Sequence, residues 1–172
     1  IGGEENAEAV AKAAAAKNIP IRIGVNAGSL EKGLLDKCGG DLPKAMVESA
    51  KRHVEILNRF DFDNIVLSMK SSNVAATVRA YRLASQTFDY PLHLGVTEAG
   101  TIKQGIVKSS VGIGSLLVDG IGDTIRVSLT DDPILEVSAA KSILRALDLD
   151  ENYIEVVSCP TCARTKIDLI SI

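Results

Sequence analysis

A parallel α/β sheet folded as part of a (β/α)8 barrel is what this sequence predicts, and three observations predict it. Short β-branched runs alternate with helical stretches along the chain, the order that builds a parallel sheet. Within each run one side-chain parity is apolar and the other polar. A doubly wound sheet is covered on both faces and would be apolar on both, whereas a barrel turns one parity into its own interior. The polar parity also carries a cation in every unit.

The elements follow in order. EENAEAVAKAAAAK is alanine-rich, acidic at its start and closed by Lys17, which suits a helix and its dipole. IPIRIGVN is short and β-branched, a first strand. DLPKAMVESAKRHVEILNRF sets Met46, Val47, Ala50, Val54 and Leu57 on one helical stripe, with Pro43 tolerated in the first turn. NIVLSMK is the second strand, and NVAATVRAYRLASQT a helix that Asn73 can cap. PLHLGVT is the third strand, GIVKSSVGIGSLLVDG a helix of small residues, and DTIRVSLT the fourth strand. DDPILEVSAAKSILRALDL is a helix with an aspartate cap and an early proline. YIEVV is a short final strand running into two cysteines.

Composition narrows the class. At 172 residues and 46% hydrophobic the chain can bury a core. A net charge of −3 lacks the basic excess of a nucleic-acid binder. No apolar run reaches the roughly 18–20 residues that span a bilayer. Three cysteines do not make a secreted disulfide framework, so a cytoplasmic protein is expected. The opening IGGEENAEAV lacks methionine, and both ends read as cuts, so an internal piece of a longer protein is expected.

The apolar parity holds Ile21, Ile23 and Val25, then Leu92, Leu94 and Val96, then Ile125, Val127 and Leu129. The polar parity holds Arg22, Gly24 and Asn26, then Ser68 and Lys70, then His93, Gly95 and Thr97, then Thr124, Arg126 and Ser128. Arg22, Lys70, His93 and Arg126 would thus converge from four consecutive strands. Gathering that much positive charge is costly unless an anion sits among it. Phosphate or diphosphate is the natural guest, since guanidinium forks and an ammonium both match its oxygens. The plainer alternative is a solvated sheet face with scattered charges.

Cys159 and Cys162 lie three apart around a proline, and the spacing alone leaves three chemistries open. Zinc ribbons use such a pair twice, and no second pair follows. Thioredoxin-type redox sites follow a strand, but the surrounding units do not match that fold. An iron–sulfur cluster needs about four ligands and often has a Cys-Pro pair among them. Cys38, in LLDKCGG, reads as an incidental thiol near a helix end.

The strings IPIRIGVNAGSLEK, LHLGVTEAG, GIGDTIRVSLTDDP and SCPTCARTKIDL resemble the hydroxymethylbutenyl diphosphate synthases of the methylerythritol phosphate isoprenoid pathway, across essentially the whole chain. The resemblance implies an N-terminal (β/α)8 barrel, a C-terminal domain with a [4Fe–4S] cluster held by three Cys and one Glu, and a homodimer in which one subunit's cluster domain covers the other's barrel. It implies reductive opening of 2-C-methyl-D-erythritol 2,4-cyclodiphosphate with ferredoxin or flavodoxin as donor, in a bacterial cytoplasm or a plastid stroma. By the same resemblance, residues 1–150 supply barrel strands five to eight and residues 151–172 begin the cluster domain.

Site residues carry over position by position. Arg22 and Asn26, Lys70, Arg126 and Ser128 match the residues that hold the diphosphate. His93 and Glu98 sit in a pocket-lining segment, with Glu98 as acid or charge balancer, although its parity places it on the other side of the strand. Cys159 and Cys162 match two cluster ligands; the other two are absent from this chain, so it is expected to be inactive alone. Two readings compete: a phosphate-binding module with structural zinc at the cysteine pair, and a half-barrel that pairs with a second copy without catalysis.

Overall fold

In a computed structural model the described residues are 3–155, Val157, Arg164, Lys166, Ile167 and Asp168, with the side chains of Gly3 and Glu4 left aside. Helix α1 (Gly3–Lys17) leads into strand β1 (Ile21–Asn26), a single 3-10 turn (Ala27–Ser29) and the short helix α2 (Leu34–Lys37). Then come α3 (Leu42–Asn58), β2 (Ile65–Lys70), α4 (Val74–Thr87), β3 (His93–Leu94), α5 (Ile102–Val118), β4 (Thr124–Ile125) and α6 (Pro133–Arg145). Neither the 3-10 turn nor α2 has a signature in the sequence reading; Cys38 closes α2 as its C-cap.

The helices start where the sequence places their caps. The Asp41 carboxylate accepts from the Lys44 N–H at 3.2 Å, Asn73 from Ala76 at 2.9 Å, and Asp132 from Ile134 at 2.9 Å. Each satisfies a backbone donor that the first helical turn leaves without a partner.

All four strands run parallel. β1 and β2 pair over six residues, from Ile21 opposite Ile65 to Asn26 opposite Lys70. A single bridge between Leu67 and Leu92 attaches β3 to β2, and His93–Leu94 pair with Thr124–Ile125. The order β1-β2-β3-β4, with a helix crossing back after each strand, is part of a (β/α) barrel wall.

The helices cover the apolar parity, as expected. Ile23, Val25, Leu67, Met69, Leu92, Leu94, Val96 and Val127 are buried against Met46, Ala50, Val54 and Leu57 of α3, Val78 and Tyr81 of α4, Ile113 and Leu116 of α5, and Ile143 of α6. Burying one such aliphatic chain contributes about 1.5–3 kcal/mol.

Three strands differ from expectation. PLHLGVT and DTIRVSLT keep only two ladder residues each. Beyond Leu94 the chain reaches the left-handed region at Glu98 (φ 51°) and Gly100 (φ 103°), which ends the pleat. YIEVV forms no strand among its described residues. A hydrogen bond from the Tyr153 hydroxyl to the Arg145 carbonyl (3.0 Å) holds it at the end of α6, and Ile154 stands 89% exposed with no strand beside it.

Candidate anion-binding site

The strand register arranges the polar parity in rows. Asn26 lies opposite Lys70 and Gly24 opposite Ser68. Counting on from the Leu67–Leu92 bridge sets Ser68 level with His93 and Lys70 level with Gly95. The His93–Thr124 pair then sets Gly95 level with Arg126. The row at the C-terminal end of the sheet is therefore Asn26, Lys70, Gly95 and Arg126. The row beneath it, about 6–7 Å lower, is Gly24, Ser68, His93 and Thr124. Layers of alternate-strand side chains fill the interior of (β/α) barrels, and the C-terminal end is where those barrels place their sites.

The chemistry of the upper row is cationic. Burial, then the neighbouring Arg126 and Arg22 guanidinium groups, pull the Lys70 ammonium down to about 8. Every charge acting on Lys70 is positive. Among the described residues no carboxylate is among the causes that shift Lys70, and Arg22 and Arg126 stand exposed beside it, a cationic grouping that attracts an anion.

His93 departs from the sequence reading, which counted it among the cations. Burial first, then Lys70, Arg22 and Arg126, pull its imidazole down to about 4, so the ring is neutral near pH 7. Its Nδ1 lies 2.8 Å from the Thr124 hydroxyl, and its Nε2 is buried without a partner. It offers the site a neutral polar group rather than a charge.

Asn26 is partly committed. Its side-chain oxygen accepts from the Gly28 N–H at 3.0 Å, forming the 3-10 turn, and its amide nitrogen remains available. Thr97 and Ser128 are half-buried further along their strands. Glu98 is exposed on the loop after β3, in a left-handed conformation unusual for glutamate, and it is absent from the charges that act on Lys70 and His93. Cys159 and Cys162 lie outside the described residues. Among the described residues no three His, Cys, Asp or Glu side chains come together as a metal site, and no helix is long and apolar enough to cross a membrane.

Two contributors were not singled out from the sequence. The Tyr81 hydroxyl, fully buried on α4, accepts from the Met69 N–H at 3.0 Å and donates to the His93 carbonyl. It joins β2 to β3 just where their ladder stops, and burial pushes its own ionisation up to about 12. A tyrosine on the apolar stripe of α4 was the available signal. Thr124, the partner of His93, was visible only as a member of the polar parity. A cavity of about 520 Å3 lies between α1, β1 and α3, lined largely by apolar side chains such as Val10, Ile21, Ile23 and Ile56 and also by Arg22; Lys70, His93 and Arg126 take no part in it.

The GcpE TIM-barrel domain family matches residues 1–141. The chain belongs to that family. Among curated proteins it is 62% identical over 172 residues to the 4-hydroxy-3-methylbut-2-en-1-yl diphosphate synthase (flavodoxin) of Clostridium tetani, covering all of this chain and 49% of that protein. It is 59% identical over 172 residues to the proteins of the same name from Fusobacterium nucleatum and Caldanaerobacter subterraneus, covering all of this chain and 49% and 48% of theirs. The chain spans about half the length of the curated relatives it matches.

Proposed function

We propose that this chain is the diphosphate-holding wall of an enzyme that reductively opens 2-C-methyl-D-erythritol 2,4-cyclodiphosphate to 4-hydroxy-3-methylbut-2-enyl diphosphate. The observation that carries the reading is the upper row, where Lys70 and Arg126 meet, with Arg22 two rows lower on β1 adding its charge, and no acid acts on Lys70 among the described residues. The relatives' names supply the product and flavodoxin. In the reaction two electrons and one proton enter, a ring C–O bond opens to release a phosphate oxygen, and one hydroxyl takes up the proton and leaves as water. Opening the ring leaves negative charge on a phosphate oxygen. Arg22, Lys70 and Arg126, already held by the sheet, stabilise that charge without reorganising. Asn26 and Ser128 hydrogen-bond the diphosphate, and neutral His93 supports the polyol without adding charge. Glu98, on the loop beside the mouth, serves as acid or charge balancer.

The electrons require a redox group. The donor set in this chain, thiols Cys159 and Cys162 three residues apart beside a proline, suits a [4Fe–4S] cluster and makes up half of the roughly four ligands it takes. Such a cluster would supply single electrons that no side chain can provide. On this reading residues 1–150 are the substrate-binding barrel segment and residues 151–172 the start of the cluster domain. Flavodoxin, or a ferredoxin, is the donor, and a homodimer brings one subunit's cluster domain over the other's barrel.

The test is Arg126→Ala in the native full-length protein. Losing one charge-assisted fork weakens cyclodiphosphate binding roughly tenfold or more, while the cluster's visible absorbance stays as it was. Unchanged substrate affinity would overturn the anion-site assignment.

A further inference from the structure

We propose that Gly95 is the positioning residue of this site: the one position in the upper row without a side chain, it opens the path along which Lys70 crosses β3 to stand beside Arg126. The inference rests on the reading of this face as an anion site and deepens it. Lys70 ends β2 and Arg126 directly follows β4, its N–H bound to the Leu94 carbonyl at 2.9 Å, with the chain of β3 between them. Neighbouring strands are about 4.8 Å apart, so two cations on alternate strands grip one anion jointly only if the position between them is low.

The geometry shows the path in use. A Cβ added at Gly95 would stand 3.2 Å from Lys70 Cε and 3.5 Å from Lys70 Nζ, so the lysine stem already lies over the glycine. The same Cβ would stand 2.9 Å from the Arg126 carbonyl oxygen. The backbone of Gly95 has no positive φ that would itself call for glycine. The residue is there for space. Gly24, on the same face one row lower on β1, has nothing within 4 Å of an added Cβ. Tyr81 fixes both ends of the path, since its hydroxyl binds the N–H of Met69, next to Lys70, and the carbonyl of His93, two residues before Gly95. Arg22, Arg126 and His93 are the titratable groups facing the ammonium, and its ionisation is lowered by burial first and then by the Arg126 and Arg22 guanidinium groups.

The experiment is residue-resolved competitive acetylation of Lys70 across pH in the native full-length protein, for wild type, Gly95→Ala and Gly24→Ala. Gly95→Ala turns the stem away from Arg126, and the Lys70 midpoint climbs from about 8 toward the ordinary 10.5, while Gly24→Ala leaves it in place. A glycine kept only for the close Arg126 carbonyl predicts lower stability with an unmoved midpoint, and that result would overturn the proposal. If Gly95→Ala does not fold, Arg126→Gln decides: a raised Lys70 midpoint supports the crossing, and an unchanged one rejects it. Inorganic diphosphate, added during labelling, separates this inference from the functional reading. It should protect Lys70 in wild type and protect it roughly tenfold less well in Gly95→Ala. A midpoint shift without any diphosphate protection leaves the positioning role standing and removes the anion-site reading.

Discussion

The β1–β2 half of the sheet and the β3–β4 half answer the same sequence pattern differently. β1 and β2 keep a six-residue ladder with every expected residue in register. β3 and β4 share two, although their sequences alternate just as well. The difference lies in what stands between the strands. On the first pair, backbone meets backbone along the full length. On the second, the chain before β4 comes so close to the Leu94 side chain at Gly122 (φ 117°) that a Cβ would collide, while on the β2 side of β3 the Lys70 stem lies over Gly95 and the Tyr81 phenol ties Met69 to the His93 carbonyl. The long ladder is a regular frame that carries Arg22, Asn26 and Lys70. The short one gives way where Gly95 and Gly122 admit close neighbours, and the comparison teaches that ladder length records tertiary packing as well as sequence alternation.

The largest effect that sharpens this contrast is in the core under the long ladder. Leu67 is fully buried at the bridge between the halves, and Leu67→Ala should cost about 2–5 kcal/mol. Ile125→Ala, in the half-buried short ladder, should cost about 1 kcal/mol. Urea unfolding of both variants checks the ratio, and equal losses would erase the distinction between the two ladders. Next comes the phenol. Tyr81→Phe leaves the Met69 N–H and the His93 carbonyl without their buried partner and should cost about 1–3 kcal/mol. Tyr90→Phe serves as the control, since that hydroxyl only reaches the exposed Asn58 side chain at 3.5 Å, and thermal unfolding should barely register it.

The smallest effect is a pH slope. Folded His93 takes its proton near 4, while the unfolded ring takes it near 6.5. Between those values the unfolded chain binds more protons, so stability falls as pH drops through that window. Partial exposure keeps the effect modest. His93→Gln should flatten the slope of unfolding free energy between pH 6.5 and 4, and an unchanged slope would mean that burial and the cationic neighbours do not hold the ring neutral.

Much of this was legible before any coordinates. The stripe from Met46 to Leu57, the caps Asn73 and Asp132, and the two parities all follow from periods of 3.6 and 2 and from local hydrogen bonding, which depend only on neighbours in the chain. That Arg22, Lys70, His93 and Arg126 share one strand parity was legible too, because parity is local. The neutrality of His93 was not, since it depends on burial and on three cations from other strands. Nor were the shortened third and fourth strands, or the lack of a strand among the described residues of YIEVV, because a strand exists only when another lies beside it.

By itself the sequence determined the order of elements, which face of each strand meets the helices, and which residues carry charge on the other face. The tertiary structure alone decided the register that places Lys70, Gly95 and Arg126 in one row, the phenol that holds two strands together behind them, and the direction in which the lysine leans. The physical reason is range. Periodicity and capping act between residues a few positions apart, whereas register, close approach and electrostatic shift arise between residues that only the fold brings together.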